Sequence, residues 1–468
     1  MSEPENDKGP SDDREGEGES APRRRVARVQ VGDAILVNFT EMDAFGAGKG
    51  QPDGYELPIV HCPNVHPGER ARVRVLAIAK RARPVRIHAK LLELLESSPS
   101  RRAVDCPRHE LLGGRCGGCP LMALEEGAQA RVKIERIESE LGLPVGDFEP
   151  SALSEGYRWS AKRIVGGRRS ELVLGSFVRG THRVADMAGC RVDHPRLVAA
   201  FAELKEQADA LEITAWRRQA DGELRYVWAK TNGDGVLLTL LGAQHAQERL
   251  EELAWTLRES AGVYVGVRDE AGNAMRSSGE ESPLRHICGQ TALTFSDAGV
   301  SESLGPMGLL QPNPAVAGRA YDALIRDAEG RELSGELALD LYAGAGLTTT
   351  RLREHFATVR PVESFAESAS LLGVEAQTAA DFLLAYDGPS PELVVANPPR
   401  AGLGAEVCQA LVRLSPPRLH IMSCSPDSFA RDLARLGEVY ELERLQLFDT
   451  LPQTAHVELV AWLRPKTD

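Results

Sequence analysis

In RLHIMSCSPDSFARDL, residues 418–433, an apolar run delivers a cysteine, Cys424, just ahead of a Pro and a helix-like pattern. A thiol between a strand end and a helix N-terminus feels the positive end of the helix dipole, which favours the nucleophilic thiolate. The plainer reading of a lone strand-end Cys is a buried filler; a place at the carboxyl edge of a parallel sheet, where ligands bind, favours a nucleophile. In LPQTAHVELVAWL, residues 451–463, Glu458 sits within an otherwise apolar strand, two residues after His456. An acid there costs energy unless it is exposed or functional, so it reads either as a sheet-edge carboxylate or as a general base.

A thiolate with a nearby base suits substitution at C5 of a uracil. That carbon is too electron-poor to attack a methyl sulfonium directly, and thiolate addition at C6 converts the ring to an enolate whose C5 can. The C5 proton must then leave so that the thiol can be eliminated. The neighbouring segment ELVVANPPRAGLG, residues 392–404, presents Asn397 at a strand end. Asn-Pro-Pro is also at home in enzymes that methylate amino nitrogens, so that alternative stays open here.

A cofactor turn precedes these segments. In LALDLYAGAGLTTTRL, residues 337–352, a strand carrying Asp340 opens through Tyr342 into Gly344 and Gly346 before a helix, so backbone amides can approach a ligand closely. The next strand ends in Glu363, where a carboxylate can accept both hydroxyl hydrogens of a ribose; Asp381 is a candidate partner for an adenine amino group. No Gly-Lys-Ser/Thr follows the glycines, which excludes a P-loop and leaves dinucleotides or S-adenosylmethionine.

Eight cysteines are present. Four form a candidate metal set: Cys106, Cys116 and Cys119 in VDCPRHELLGGRCGGCPLMAL, and Cys190 further on. Four thiolates suit a 4Fe-4S cluster or a Cys₄ zinc site, and three local ligands with one distant favour the cluster. Cys62, Cys288 and Cys408 lack such partners and read as packing residues.

These residues need several domains to hold them, and 468 residues suit two or three. Residues 1–24 form an acidic tail expected to be disordered; residues 1–20 alone hold eight acids and two bases, supplying −6 of the net −13. Residues 25–95 alternate like a small β-barrel, 96–310 read as α+β, and 311–468 repeat strand, turn and helix as a doubly wound α/β domain does. From Gly68 to Lys90, eight cations (Arg70, Arg72, Arg74, Lys80, Arg81, Arg83, Arg86, Lys90) face one acid, Glu69, giving either a solvated strand face or a phosphate-binding one. No run of about 18 apolar residues exists. With no apolar secretory segment at the N-terminus, the expectation is a cytoplasmic monomer without a membrane or an evident protein partner.

The motifs together resemble the RNA (uracil-5-)-methyltransferase family over most of residues 25–468. LLQPN resembles its Phe-Gln-x-Asn segment, LDLYAGAG its cofactor motif, NPPRAG its Asp-Pro-Pro-Arg-x-Gly, SCSP its Ser-Cys-Asn-Pro and PQTAHVE its Thr-x-His-Val-Glu. The resemblance implies a Rossmann-like methyltransferase domain, an OB-like barrel of the TRAM type and a central iron-sulfur domain. It implies Cys424 as nucleophile, Glu458 as proton acceptor, and Gln311, Tyr342, Glu363, Asp381 and Asn397 as cofactor contacts beside Gly344 and Gly346. It implies S-adenosylmethionine and a 4Fe-4S cluster as cofactors, with RNA as partner, ribosomal before transfer RNA. Asn397 stands where the family has Asp, Ser425 where it has Asn, Ala343 where Cys is frequent and Leu347 where a polar residue is common. Nine residues separate Cys106 from Cys116, where relatives commonly have five.

Overall fold

The computed structural model describes residues 29–53, 58–82, 84–217, 222–267, 284–295 and 302–466. The expected disordered tail and Arg83 of the basic run lie outside the described residues. Period-two alternation rolls the first strands into a closed barrel: β1 (Ala34–Met42), β2 (Gly48–Pro52), β3 (Ile59–Cys62), β4 (Glu69–Ala79) and β5 (Arg86–Glu96), in the order β1-β2-β3-β5-β4. Along β4 the residues Ala71, Val73 and Val75 point into the barrel core with Phe39, Val60 and Ile87, while Arg72 and Arg74 point out. Closure leaves no sheet edge unpaired.

The chain then forms α1 (Glu126–Leu141) and a short strand β6 (Asp147–Glu149) before the central sheet. That sheet contains β7 (Ser160–Arg168), β8 (Glu171–Phe177), β9 (Val184–Asp186), β10 (Leu224–Thr231), β11 (Val236–Gly242), β12 (Gly262–Val267) and β13 (Leu284–Gly289), ordered β13-β12-β11-β10-β7-β8-β9. Helices α2 (Pro195–Ala210) and α3 (Gln247–Thr256) bury their apolar stripes on one of its faces, with Leu204, Leu250 and Leu253 packed on Val227, Leu238 and Val263. A hairpin of β14 (Leu293–Phe295) and β15 (Glu302–Leu304) leads towards the last domain.

There α4 (Pro314–Leu324), β16 (Gly335–Leu341), α5 (Leu347–Arg353), β17 (Phe356–Val362), α6 (Ala366–Leu372), α7 (Ala379–Ala385), β18 (Leu393–Ala396), α8 (Ala405–Leu414), β19 (Leu419–Ser423) and α9 (Pro426–Leu436) alternate, and β20 (Tyr440–Phe448) and β21 (Glu458–Pro465) close as a hairpin. Strand order is β17-β16-β18-β19-β21-β20-β6, parallel from β17 to β19, with β21 antiparallel. Apolar cores lie on both faces, one gathering α8 and α9 and the other α4 and α5. The strand β6 pairs with β20 at the far edge, and α1 packs on α9 with Ile137 in the same core. Residues 126–149, read within the middle portion of the chain, thus add to the last sheet in space.

Candidate active site

Four parallel strands end side by side, and each hands over one of the residues singled out above. Tyr342 follows Leu341 of β16, Glu363 follows Val362 of β17, Asn397 follows Ala396 of β18, and Cys424 follows Ser423 of β19. Register aligns these ends: Leu341 pairs with both Val362 and Ala396, and Ala396 with Ile421. Antiparallel β21 starts at the same edge, Ser423 pairing with Leu459, so Glu458 and Cys424 emerge together.

At the Gly-rich turn Tyr342 takes a φ of 62° and Gly344 and Gly346 take 57° and 88°, left-handed conformations that turn the chain sharply at the strand end. Such strain at a non-glycine residue is stored where function fixes the backbone. Glu363 holds the turn: one carboxylate oxygen accepts from the Gly344 amide at 2.8 Å and the other from the Phe365 amide at 2.6 Å. Beneath it Asp340 is buried and accepts from the Thr349 hydroxyl at 2.6 Å; burial pushes its carboxyl up to about 7. Asp381 is exposed in the first turn of α7, its carboxylate bonded to the Thr378 hydroxyl at 2.7 Å. Asn397 is half-buried, its backbone N–H donating to the Leu341 carbonyl at 3.3 Å.

Burial pushes the Glu458 carboxyl up to about 8, opposed by the Arg400 guanidinium. Cys424 is half-buried, and burial with the Glu458 charge raises its thiol, while Arg400 lowers it by charge and a side-chain hydrogen bond. Partial desolvation and the neighbouring Glu458 carboxylate thus act against the thiolate that Arg400 and the helix end favour. Arg400, an exposed residue, lies within electrostatic reach of both groups.

Two supporting residues escape a sequence reading. Tyr321 of α4 is buried, bonds Gln311 through its hydroxyl and lies within electrostatic reach of Glu458 and Asp340; burial raises its phenol to about 12. Gln311 thereby joins the site from outside the strand ends. Gln453, with φ 67°, anchors the loop from β20 to Glu458. It exchanges hydrogen bonds with Gln129 of α1 at 2.9 and 3.0 Å, and its carbonyl accepts from the Leu121 amide at 3.0 Å. Lys133 donates to Asp449 at 2.6 Å and Arg136 to the Ala455 carbonyl at 3.0 Å, so α1 clamps that loop from end to end. A polar side chain on a buried helical face is the faint local signal for Gln129 and Lys133.

Cys119 feels the charges of Cys190, Cys116 and Cys106, so the four cysteines share one neighbourhood. Among the described residues, no three Cys, His, Asp or Glu side chains stand as a metal-holding group. Burial raises the Cys116 and Cys119 thiols and pushes Cys190 up to about 11. Arg158 and Arg163 lie beside them, Arg158 within reach of Cys119 and Cys190, and Arg163 of Cys116 and Cys190.

On the barrel the basic run is less free than its composition implies. Arg70 pairs with Asp53 at 2.7 Å and with Glu96 at 3.5 Å, and Arg72 pairs with Glu93 at 2.7 Å. Folding brings acids from outside the run or its far end across the strands. Arg74 and Lys90 remain exposed and stand opposite one another in register, a like-charge pair that costs stability without a counter-ion.

With this geometry in view, the comparisons with known proteins are decisive for the family. A sequence profile described as tRNA (Uracil-5-)-methyltransferase matches residues 386–466, the span that carries Asn397, Cys424 and Glu458. An uncharacterised RNA methyltransferase of Geobacter sulfurreducens is 30% identical over 466 residues, covering 93% of this chain and 90% of that one. The chain belongs to the RNA (uracil-5-)-methyltransferase family. A family relative from Thermosynechococcus vestitus is 28% identical, covering 93% of this chain and 98% of its own. The Pyrococcus abyssi tRNA (uracil-54, C5)-methyltransferase, solved with S-adenosyl-L-homocysteine, shares the fold with a TM-score of 0.70 at 23% identity, over 92% of this chain and 99% of that one. No helix among the described residues is long and apolar enough to cross a membrane.

Proposed function

We propose that this family member transfers a methyl group from S-adenosylmethionine to C5 of a uridine in structured RNA, through a covalent bond between Cys424 and C6. The observation that carries the reading is the shared edge of β19 and β21, where thiol, carboxyl and guanidinium of Cys424, Glu458 and Arg400 meet. On this reading residues 25–95 act as the barrel, 96–310 as the middle portion and 311–468 as the methyltransferase domain, to whose sheet β6 from the middle portion adds a strand.

The Cys424 thiolate adds to C6, and the displaced π electrons pass to the C5–C4–O4 enolate. C5 then takes the methyl group, and the sulfonium sulfur keeps the bonding pair as S-adenosylhomocysteine leaves. Glu458 accepts the C5 proton; those electrons rebuild the C5–C6 double bond and expel the thiolate. A carboxyl held at about 8 is a stronger base than an ordinary one, and the guanidinium keeps it ionisable near neutral pH. Glu363 accepts the ribose hydroxyls, Tyr342, Gly344, Gly346 and Gln311 line the donor's pocket, Asn397 offers an amide in place of the family's carboxylate, and Asp381 reaches the adenine.

The neighbourhood of Cys106, Cys116, Cys119 and Cys190 fits a 4Fe-4S cluster. Its donors are four thiols, and Arg158 and Arg163 offset the charge of thiolates beside them. Bound there, the cluster supplies a covalent cross-link rather than redox chemistry, since methyl transfer moves no electrons. Its place in the fold tells what it would brace: Leu121, two residues past Cys119, donates to Gln453 in the loop that leads to Glu458.

Ribosomal RNA is the first candidate substrate, and the likeness in fold to a tRNA (uracil-54, C5)-methyltransferase favours transfer RNA as the second reading. Nucleoside mass spectrometry with site mapping, on ribosomal and transfer RNA from cells with and without the gene, separates them. A 5-methyluridine lost from one pool names the substrate; unchanged 5-methyluridine at every position defeats the proposal. A Cys424→Ala enzyme that keeps full activity would favour methylation of an amino nitrogen instead, because that chemistry needs no thiol.

A further inference from the structure

We propose that Phe45, at the tip of the β1–β2 turn, stacks on a nucleobase of the RNA next to the reacting uridine; this rests on the reading of RNA as substrate. Phe45 is 70% exposed, a large apolar side chain left in water at the tip of the turn. The turn beneath it is built to be rigid. One oxygen of Asp43 accepts from the amides of Phe45 and Ala47, both at 2.9 Å, and the other meets Nδ1 of His61 at 2.8 Å. The Asp43 amide in turn donates to the Ala47 carbonyl at 2.8 Å.

The turn also packs against the loop that leads to Glu458. Gly46 takes a φ of 79°, and a Cβ there would stand 2.6 Å from Pro120 and 3.7 Å from Ala455. Pro120 follows Cys119, and Ala455 lies three residues before Glu458, so barrel, cysteine loop and catalytic loop meet under Phe45. Met42, Leu121, Leu124, Ala128, Val132 and Ala455 form the small core that fixes this junction. Exposed Arg400 and His456 supply cationic and polar groups on the catalytic side.

An enzyme that draws a uridine out of its stack leaves neighbouring bases with an uncovered face. A preorganised aromatic ring beside the entry covers one at little entropic cost, and stacking tolerates any base because each has a π-face. The expected effect is therefore on RNA affinity rather than on the chemical step.

The test uses the full-length protein and total RNA from cells lacking the gene, with methyl transfer from radiolabelled S-adenosylmethionine and filter binding of the same RNA read side by side. Phe45→Ala should raise KM and Kd for RNA about tenfold, the loss of roughly one stacked base, with kcat and S-adenosylmethionine affinity held. Phe45→Trp should restore both constants, and Phe45→Leu, apolar without a π-face, should not. Wild-type RNA affinity in Phe45→Ala, or rescue by Leu as complete as by Trp, overturns the inference. So does a Phe45→Ala defect confined to capture of a protein partner. If wild type itself transfers no methyl group to this RNA, the proposed function fails separately, and the filter-binding comparison still decides Phe45.

Discussion

Glu458→Gln exposes the energetics of the candidate base. Burial holds its carboxyl at about 8 against an ordinary 4.5. Between those values the unfolded chain has released the proton while the folded chain keeps it, so stability falls as pH rises through the window. Below about 4.5 both states are protonated and the contribution is complete; above about 8 both are ionised and the loss is complete. At about 1.4 kcal/mol per pH unit, the window corresponds to a loss on the order of 5 kcal/mol. Glutamine cannot ionise, so wild type and Glu458→Gln should match near pH 5, and the variant should be more stable by about 3–5 kcal/mol at pH 8.5. Guanidinium unfolding followed by fluorescence reports it, because Trp462 is buried in the same strand. A stability difference that stays flat from about pH 5 to pH 8.5, or grows in favour of wild type, refutes the buried protonated carboxyl. The kinetic counterpart is a rise in the wild-type rate of about tenfold from pH 7 to pH 9, as the ionised fraction climbs from about a tenth to about nine-tenths.

Glu363→Ala strips the Gly344 and Phe365 amides of their acceptor as well as removing the proposed ribose contact, and calorimetry should show S-adenosylmethionine binding weakened by about tenfold to a hundredfold; an unchanged Kd would contradict that role. Gln453→Ala removes the buried side-chain carbonyl that accepts from the Gln129 amide and from Arg102, which should cost about 1–3 kcal/mol in urea unfolding, and it should lower kcat more than it raises KM for RNA, because the loop it anchors leads to Glu458. Protein purified without oxygen should carry both iron and acid-labile sulfide, and Cys119→Ser should lose both; zinc without sulfide would assign a Cys₄ zinc site instead.

Strand-end chemistry is the part of this molecule that reads well from local sequence. An apolar run, a glycine-rich or proline-rich corner and a following helix specify a parallel sheet and the edge where its side chains meet, which is why Tyr342, Glu363, Asn397 and Cys424 stand where their motifs put them. Alternation likewise announced the barrel, since a period of two decides which face of each strand is apolar. Long-range partnership lies beyond such rules. Gln129 and Gln453 are 324 residues apart, and nothing local in either pairs them. Residues 147–149 join the last sheet only because α1 folds back onto α9.

Motif and periodicity by themselves determined which residue types reach the sheet edge, because both act through the backbone within a few residues. Tertiary structure decided how those residues behave. It raised the Cys424 thiol and the Glu458 carboxyl by desolvation, brought Arg400 within electrostatic reach of both, and met Arg70 and Arg72 with acids distant in sequence. Charge state and reactivity depend on every group packed around an atom, and that surrounding exists only once distant segments have come together.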